Sequence, residues 1–266
     1  MNATLHLFEY WYLGFIAIFI ATFANLIGAG GSKFFSPLYM YLVRLNPLLS
    51  IVCALTTQTF GFGSGTLSYY RQKEIDFEIA FSYLYIAIPL TIVGAILAHF
   101  LSNDLVEIIF AFILILNSIA IANYAFILDK CSANEKLSNV IEKLVLSLGS
   151  FFLGFISVGL GELITPTFLL KYKFKPQKAV GTAVFIVFIS TLAAVATHII
   201  IMEYTNRSVF QWQVLQVLIW TIPGAIIGAQ IGSKISAHVS RILLKNILTV
   251  AFLILGLSII LLKILR

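Results

Sequence analysis

The chain has 266 residues, of which 60% are hydrophobic and only 11% charged. Soluble domains carry about 25% charged residues, so the deficit excludes an ordinary soluble fold and indicates a polytopic membrane protein. The net charge of +6 does not point to nucleic acid, because in such a protein Lys and Arg report orientation, and two cysteines, Cys53 and Cys131, are too few for a disulfide framework.

The opening MNATLHLFEYWY lacks the basic stretch of a secretory signal, so the first apolar run is expected to be retained as structure. A membrane-crossing helix needs about 20 apolar residues. Runs of that kind are predicted at 11–28, 48–70, 79–101, 105–128, 144–160, 178–201, 212–232 and 242–262. Two shorter runs, 34–45 and 163–172, follow glycine clusters and are too short to cross alone. His99 and His198 fall near span ends, where an interfacial position is expected, and Trp11, Tyr12, Tyr69, Tyr70, Trp212 and Trp220 are aromatic-belt candidates.

The polar stretch DKCSANEKLSN at 129–139 divides the chain nearly in half. The expected organisation is a first transmembrane repeat over 1–128, a polar cytoplasmic linker at 129–140 and a second repeat over 141–266. A shift of 129 lays Gly30 on Gly159, Lys33 on Glu162, Pro37 on Pro166 and Pro47 on Pro176. Further along, a shift of 134 lays Pro89 on Pro223 and Gly94 on Gly228, the extra length fitting a longer loop at 203–208. Proline landmarks keeping register are informative in a chain with only 6 of them.

Lys and Arg prefer the cytoplasmic side. If only the long runs cross, the basic residues other than Lys33 divide 8 against 8. If each glycine cluster is instead the tip of a hairpin that returns to its starting side, they divide 12 against 4. The second arrangement puts both termini outside and gives each half an odd number of crossings. The predicted fold is therefore all-α, with two inverted repeats, each a glycine-tipped helical hairpin plus three spanning helices.

Irregular backbone at membrane depth is tolerated where it is buried in protein or lines a wet cavity. Helix N-termini leave N–H groups without internal partners, and a glycine turn lets an anion approach them. Gly28, Gly30 and Gly31 precede a short helix beginning near Ser32, and Gly159 and Gly161 precede its counterpart. Ser32, Ser36 and Thr165 add hydroxyls, and Pro37 and Pro166 are expected about one turn into each short helix, where a missing N–H costs least. Such glycines serve either ligand contact or close helix packing.

Charge inside a bilayer costs about 2.5–3.5 kcal/mol on insertion scales and usually faces a cavity or a partner. Three readings stand for Lys33 and Glu162. Lys33 is an anion ligand and Glu162 a proton carrier; the two form a structural ion pair; or one or both reach the interface. Thr56, Thr57 and Gln58 on the helix after the first hairpin, and Thr182 after the second, are expected to line a cavity. The HExxH, GxSxG, P-loop and paired Cys/His zinc signatures are absent, so no catalytic residue, metal or cofactor is expected.

The segments GAGGSKFFSPLYMYL at 28–42 and GLGELITPTFLL at 159–170 resemble the sulfite exporter TauE/SafE-like (TSUP) family of bacterial and archaeal permeases. KEIDFEIA at 73–80 and KPQKAVGTAVF at 175–185 extend the similarity along nearly the whole chain. The resemblance implies a permease of the cell membrane for small anions, often sulfur oxyanions or organosulfur compounds. Ser32 stands where the family's first cluster has its third glycine, and in the second Leu160 interrupts the glycines and Glu162 follows them, which favours the first tip as the anion site. The expected partners are thus a small anionic substrate, membrane lipid and, through Glu162, protons. An anion channel, a non-transport membrane subunit and a membrane-embedded enzyme are the alternatives.

Overall fold

The computed structural model describes residues 8–131, 135–205, 212–236 and, in the C-terminal run, 250, 253, 254, 256–259 and 261. The described residues form helices and connecting turns, with no strand among them. In chain order the helices are α1 (Tyr12–Ile27), α2 (Ser32–Pro37, continued by a π turn over Leu38–Leu42), α3 (Pro47–Arg71), α4 (Phe77–Ala98), α5 (Asn103–Cys131), α6 (Glu135–Ile156), α7 (Leu160–Leu170), α8 (Pro176–Tyr204) and α9 (Trp212–Ile235). Among the described residues, five helices are long and apolar enough to cross a bilayer: α3, α4, α6 over Asn139–Ile156, α8 and α9. Most of the span expected at 242–262 lies outside the described residues.

Exposure is inverted relative to a soluble protein. Phe19, Phe81, Tyr85 and Phe100 are exposed, while Asn25, Ser32, Ser36, Thr57 and Gln58 are buried. Hydrocarbon is as good a solvent as leucine for the outward rings, whereas polar groups must find partners inside.

Local chemistry sets the breaks. At the end of α1, Gly28 takes the left-handed conformation (φ 73°) and its N–H returns to Ala24 O. Both second prolines, Pro47 and Pro176, occupy the first turn of a long helix, where their fixed φ is pre-organised; Asn46 caps α3 by accepting Leu49 N–H at 2.9 Å. Pro37 and Pro166 differ from expectation: they are the sixth residue of α2 and the seventh of α7, beyond the first turn. Each therefore removes a helical hydrogen bond to the carbonyl four residues back, which belongs to Lys33 in one case and Glu162 in the other. After Pro37 the backbone widens into the π turn.

The two expected spans at 11–28 and 144–160 are hairpin arms. The 16 residues of α1 cover roughly 24 Å, short of a full crossing. Gln213 Nε2 donates to Tyr10 OH at 3.3 Å and to Val43 O at 3.0 Å, joining the start of the first hairpin to its end. In the second, Lys171 after α7 bonds Asn139 and Glu142 on α6, and Tyr172 OH donates to Glu142 at 2.9 Å. Each hairpin thus finishes beside the helix end it left. Between the halves, α5 continues to Cys131 and α6 begins at Glu135, so most of the polar stretch 129–140 is helical.

The helices pair in a reciprocal pattern. α1 packs along α9, α6 along α4, and α3 against α8. Gly224, Gly228 and Gly232 sit on the α1 carbonyls of Gly14, Ile18 and Thr22, where an added Cβ would lie 2.3, 2.2 and 2.2 Å from oxygen. On the other side, Gly94 faces Phe151 O and Gly154 faces Thr91 O at 2.1 and 1.9 Å by the same measure. Small residues spaced four apart let backbones approach, and dispersion replaces the hydrophobic effect as the source of association.

Candidate functional site

The tips of the two hairpins meet. Gly161, near the start of α7, lies against the main chain of residues 28–30: a Cβ on it would be 2.3 Å from Gly28 O and 3.2 Å from Gly30 N. Gly28 in turn abuts Thr165, whose hydroxyl donates to Gly161 O at 2.8 Å. Because the nearest atom is backbone, a methyl at 161 has nothing flexible to displace. Gly161→Ala is expected to destabilise the protein by about 1–3 kcal/mol, the range for overpacking. Thermal unfolding of the purified variant in detergent checks this, and an unchanged melting temperature would refute the tight tip contact.

Across this contact, Lys33 Nζ and Glu162 Oε2 stand 2.5 Å apart, with side chains each only 1% exposed. The other carboxylate oxygen, Glu162 Oε1, accepts Gly159 N–H at 3.0 Å. Gly159 needs its φ of 118°, a region that side chains strain to enter, to begin α7 here. The carboxylate therefore does two jobs: it caps its own helix and neutralises the lysine of the opposite tip. A neutral pair is tolerable at this depth, and either charge alone would be costly.

Serines tie the tips further. Ser32 Oγ donates to Ser157 O at 2.7 Å, and the hydroxyls of Ser36 and Ser157 are 3.0 Å apart. No motif singles out Ser157, yet the 129-residue shift that pairs Lys33 with Glu162 also lays Gly28 on it. Like Gly28 it ends a helix in the left-handed region, at φ 62°, although it carries a side chain.

The helix after the first hairpin supplies the next layer. Gln58 Oε1 accepts Ser32 N–H at 2.7 Å and sits against Gly30. Thr57 bonds the Tyr39 hydroxyl at 2.8 Å and the Thr221 hydroxyl of α9 at 3.3 Å. Thr56 is half-buried and donates to Val52 O of its own helix. Gly31, Thr57 and Gln58 border a cavity of about 10 Å³, the room that one water needs.

Thr182 lies apart from this cluster. Its hydroxyl accepts Asp76 N–H at 3.0 Å, beside the Asp76–Lys178 ion pair of 2.7 Å. The hydrogen bond from Lys178 holds the Asp76 carboxyl below its ordinary range. Thr182 lies early in α8, and its hydroxyl is occupied in stitching α8 to the start of α4. One of the two histidines departs from the expected interfacial position. His198 is fully buried, 2.9 Å from the His99 ring and 2.9 Å from Gly154 O, rather than interfacial.

The family model for the sulfite exporter TauE/SafE matches residues 13–259. Among curated proteins the chain is 24% identical to "Probable membrane transporter protein YunE" of Bacillus subtilis (strain 168), over 92% of this chain and 93% of that protein. It is 24% identical to "Probable membrane transporter protein YjnA" of the same organism, over 89% and 95%. Against "Probable membrane transporter protein ORF9" of Sinorhizobium sp the identity is 25%, over 89% and 87%. No solved structure matches the chain.

Proposed function

Since the chain belongs to the sulfite exporter TauE/SafE family of multi-pass membrane transporters, we propose that it is a secondary carrier for a small anion, either a sulfur oxyanion or an organosulfur anion of the sulfonate kind. The family is one of permeases, not enzymes. The observation that carries the substrate reading is the buried Lys33–Glu162 pair between the tips. An arriving anion takes over Lys33 from the carboxylate, and Glu162 accepts a proton as it is released. Gly30, Gly31 and Ser32 supply main-chain and hydroxyl donors at the first tip.

The halves 1–128 and 141–266 are inverted repeats that rock about the tips, with both termini outside the cell membrane. The reciprocal pairing of α1 with α9 and of α6 with α4 supports this, as does the 12-to-4 division of basic residues. A carrier is favoured over a channel because the tips are in direct contact and ion-paired; a continuously open pore has no use for such a closure.

The test is a thermal-shift panel of sulfite, sulfate, thiosulfate, short sulfonates and carboxylates on the purified protein. A specific ligand at a hundred times its Kd stabilises by about 2.7 kcal/mol. Stabilisation by a sulfur-containing anion is expected. Stabilisation by carboxylates alone, or by none of the panel, would sink the substrate class.

A further inference from the structure

One end of the bundle gathers most of the positive charge. α3 and α9 finish there, and α4, α6 and α8 begin there: the Ser68 and Ser233 hydroxyls meet at 2.6 Å, Glu142 accepts the Tyr83 hydroxyl, and Asp76 pairs with Lys178 at 2.7 Å. These are ends of the helices long enough to cross a bilayer, so this end lies at headgroup depth. Of the Lys and Arg side chains that the structure describes, only Lys33 and Arg44 lie elsewhere.

Some of this charge is already matched. Lys171 is held by Glu142 and Lys178 by Asp76. Arg71, Lys73 and Lys175 are exposed, and none of the three pairs with a carboxylate among the described residues. They come from two turns that the fold holds side by side. Asp76 N–H donates to the Thr182 hydroxyl at 3.0 Å, and a Cβ at Gly181 would lie 2.3 Å from Glu74 O. The first turn gains nothing from a lysine at 73, whose φ of 59° glycine would adopt at less cost.

Beneath these cations runs an exposed aromatic strip. Tyr70, Phe77 and Phe81 are 59%, 37% and 61% exposed. The Tyr70 and Phe77 rings are 6.1 Å apart and those of Phe77 and Phe81 6.3 Å. Phe185 of α8 closes on Phe77 at 5.3 Å and on Phe81 at 6.1 Å. Phe77 opens α4 and Phe81 is one turn deeper, so the strip leads from the cations into the hydrocarbon.

We propose that this corner between α3, α4 and α8 binds an anionic phospholipid. Arg71, Lys73 and Lys175 hold the phosphate headgroup, and an acyl chain lies along Phe77, Phe81 and Phe185. Cations alone would suit any anion at the surface. The strip decides for a lipid, because a free anion has nothing to place on it. The turn that carries Lys175 is also the exit of the second hairpin, so the bound lipid ties the base of that hairpin to the α3–α4 turn. The inference is independent of the transported solute.

Melting of the purified protein in a neutral detergent, titrated with dioleoylphosphatidylglycerol or dioleoylphosphatidylcholine, tests this. The anionic lipid is expected to raise the melting temperature saturably, the zwitterionic one to leave it unchanged, and high salt to weaken the effect. Lys73→Gln and Lys175→Gln should each weaken the apparent affinity for phosphatidylglycerol by about fivefold, the factor for one lysine near an anionic surface. Arg44→Gln, an equal loss of charge at the other end of the bundle, should not change it. All three side chains are exposed, so the variants are expected to melt like the wild type without lipid. Equal stabilisation by the two lipids, or an Arg44→Gln effect as large as that of Lys73→Gln, overturns the site. Glycerophosphate, the headgroup without chains, should not stabilise at the concentrations where the lipid does; if it does so equally, the surface takes a free anion and the lipid proposal falls.

Discussion

Replacing Lys33 alone with methionine is expected to destabilise the protein by about 3–5 kcal/mol, and replacing Glu162 with glutamine as well is expected to recover most of that loss without recovering transport. The two side chains are 1% exposed and 2.5 Å apart, so each is the other's counter-charge in a place closed off from the surface. Removing the lysine strands a carboxylate between the tips. The double change removes both charges, and the introduced glutamine amide retains an oxygen for the Gly159 N–H that Glu162 Oε1 now accepts at 3.0 Å. Buried pairs replaced together are often neutral in stability, so the Lys33→Met/Glu162→Gln protein should melt within about 1 kcal/mol of the wild type. Anion uptake by proteoliposomes should nevertheless fall by a factor of roughly 30 or more, the effect of losing a buried charge contact with the substrate. A stable double variant with normal uptake would show the pair to be a structural clasp and nothing more.

Much of this arrangement was readable because membrane depth makes punctuation conspicuous. A glycine cluster, an ionisable residue and a proline stand out in an apolar run, and the same landmarks 129 residues apart point to two related hairpins. The return of each hairpin is what the division of basic residues predicts, since their placement follows the membrane and not the packing. What local pattern could not supply was the set of distant partners. Thr182 bonds Asp76 at the start of the next helix, and His198 looks interfacial by position yet is buried against His99. The π turn after Pro37 follows from a ring clash and a missing N–H. Ser157 carries no local signal, because a serine in the left-handed region is unusual; only its register with Gly28 marks it.

Transport by the wild type is expected to be electroneutral for a monoanion and driven by pH, whereas Glu162→Gln should follow the membrane potential instead. With Lys33 and Glu162 both charged the buried tips carry no net charge. Adding an anion makes the site net negative in a medium where one uncompensated charge is costly, and a proton on Glu162 restores the balance. One proton per anion gives an accumulation ratio that changes about tenfold per pH unit of gradient. It also gives no response to a potential clamped with potassium and valinomycin. In Glu162→Gln the lysine alone balances the anion, no proton is required, and one net negative charge crosses. Accumulation should then change by roughly fiftyfold per 100 mV, from about 2.3 kcal/mol per charge, and lose its pH dependence. A melting curve identifies any preparation that has simply unfolded. Wild-type accumulation that tracks the potential and ignores the pH gradient would remove Glu162 as the proton carrier while leaving Lys33 as the anion ligand.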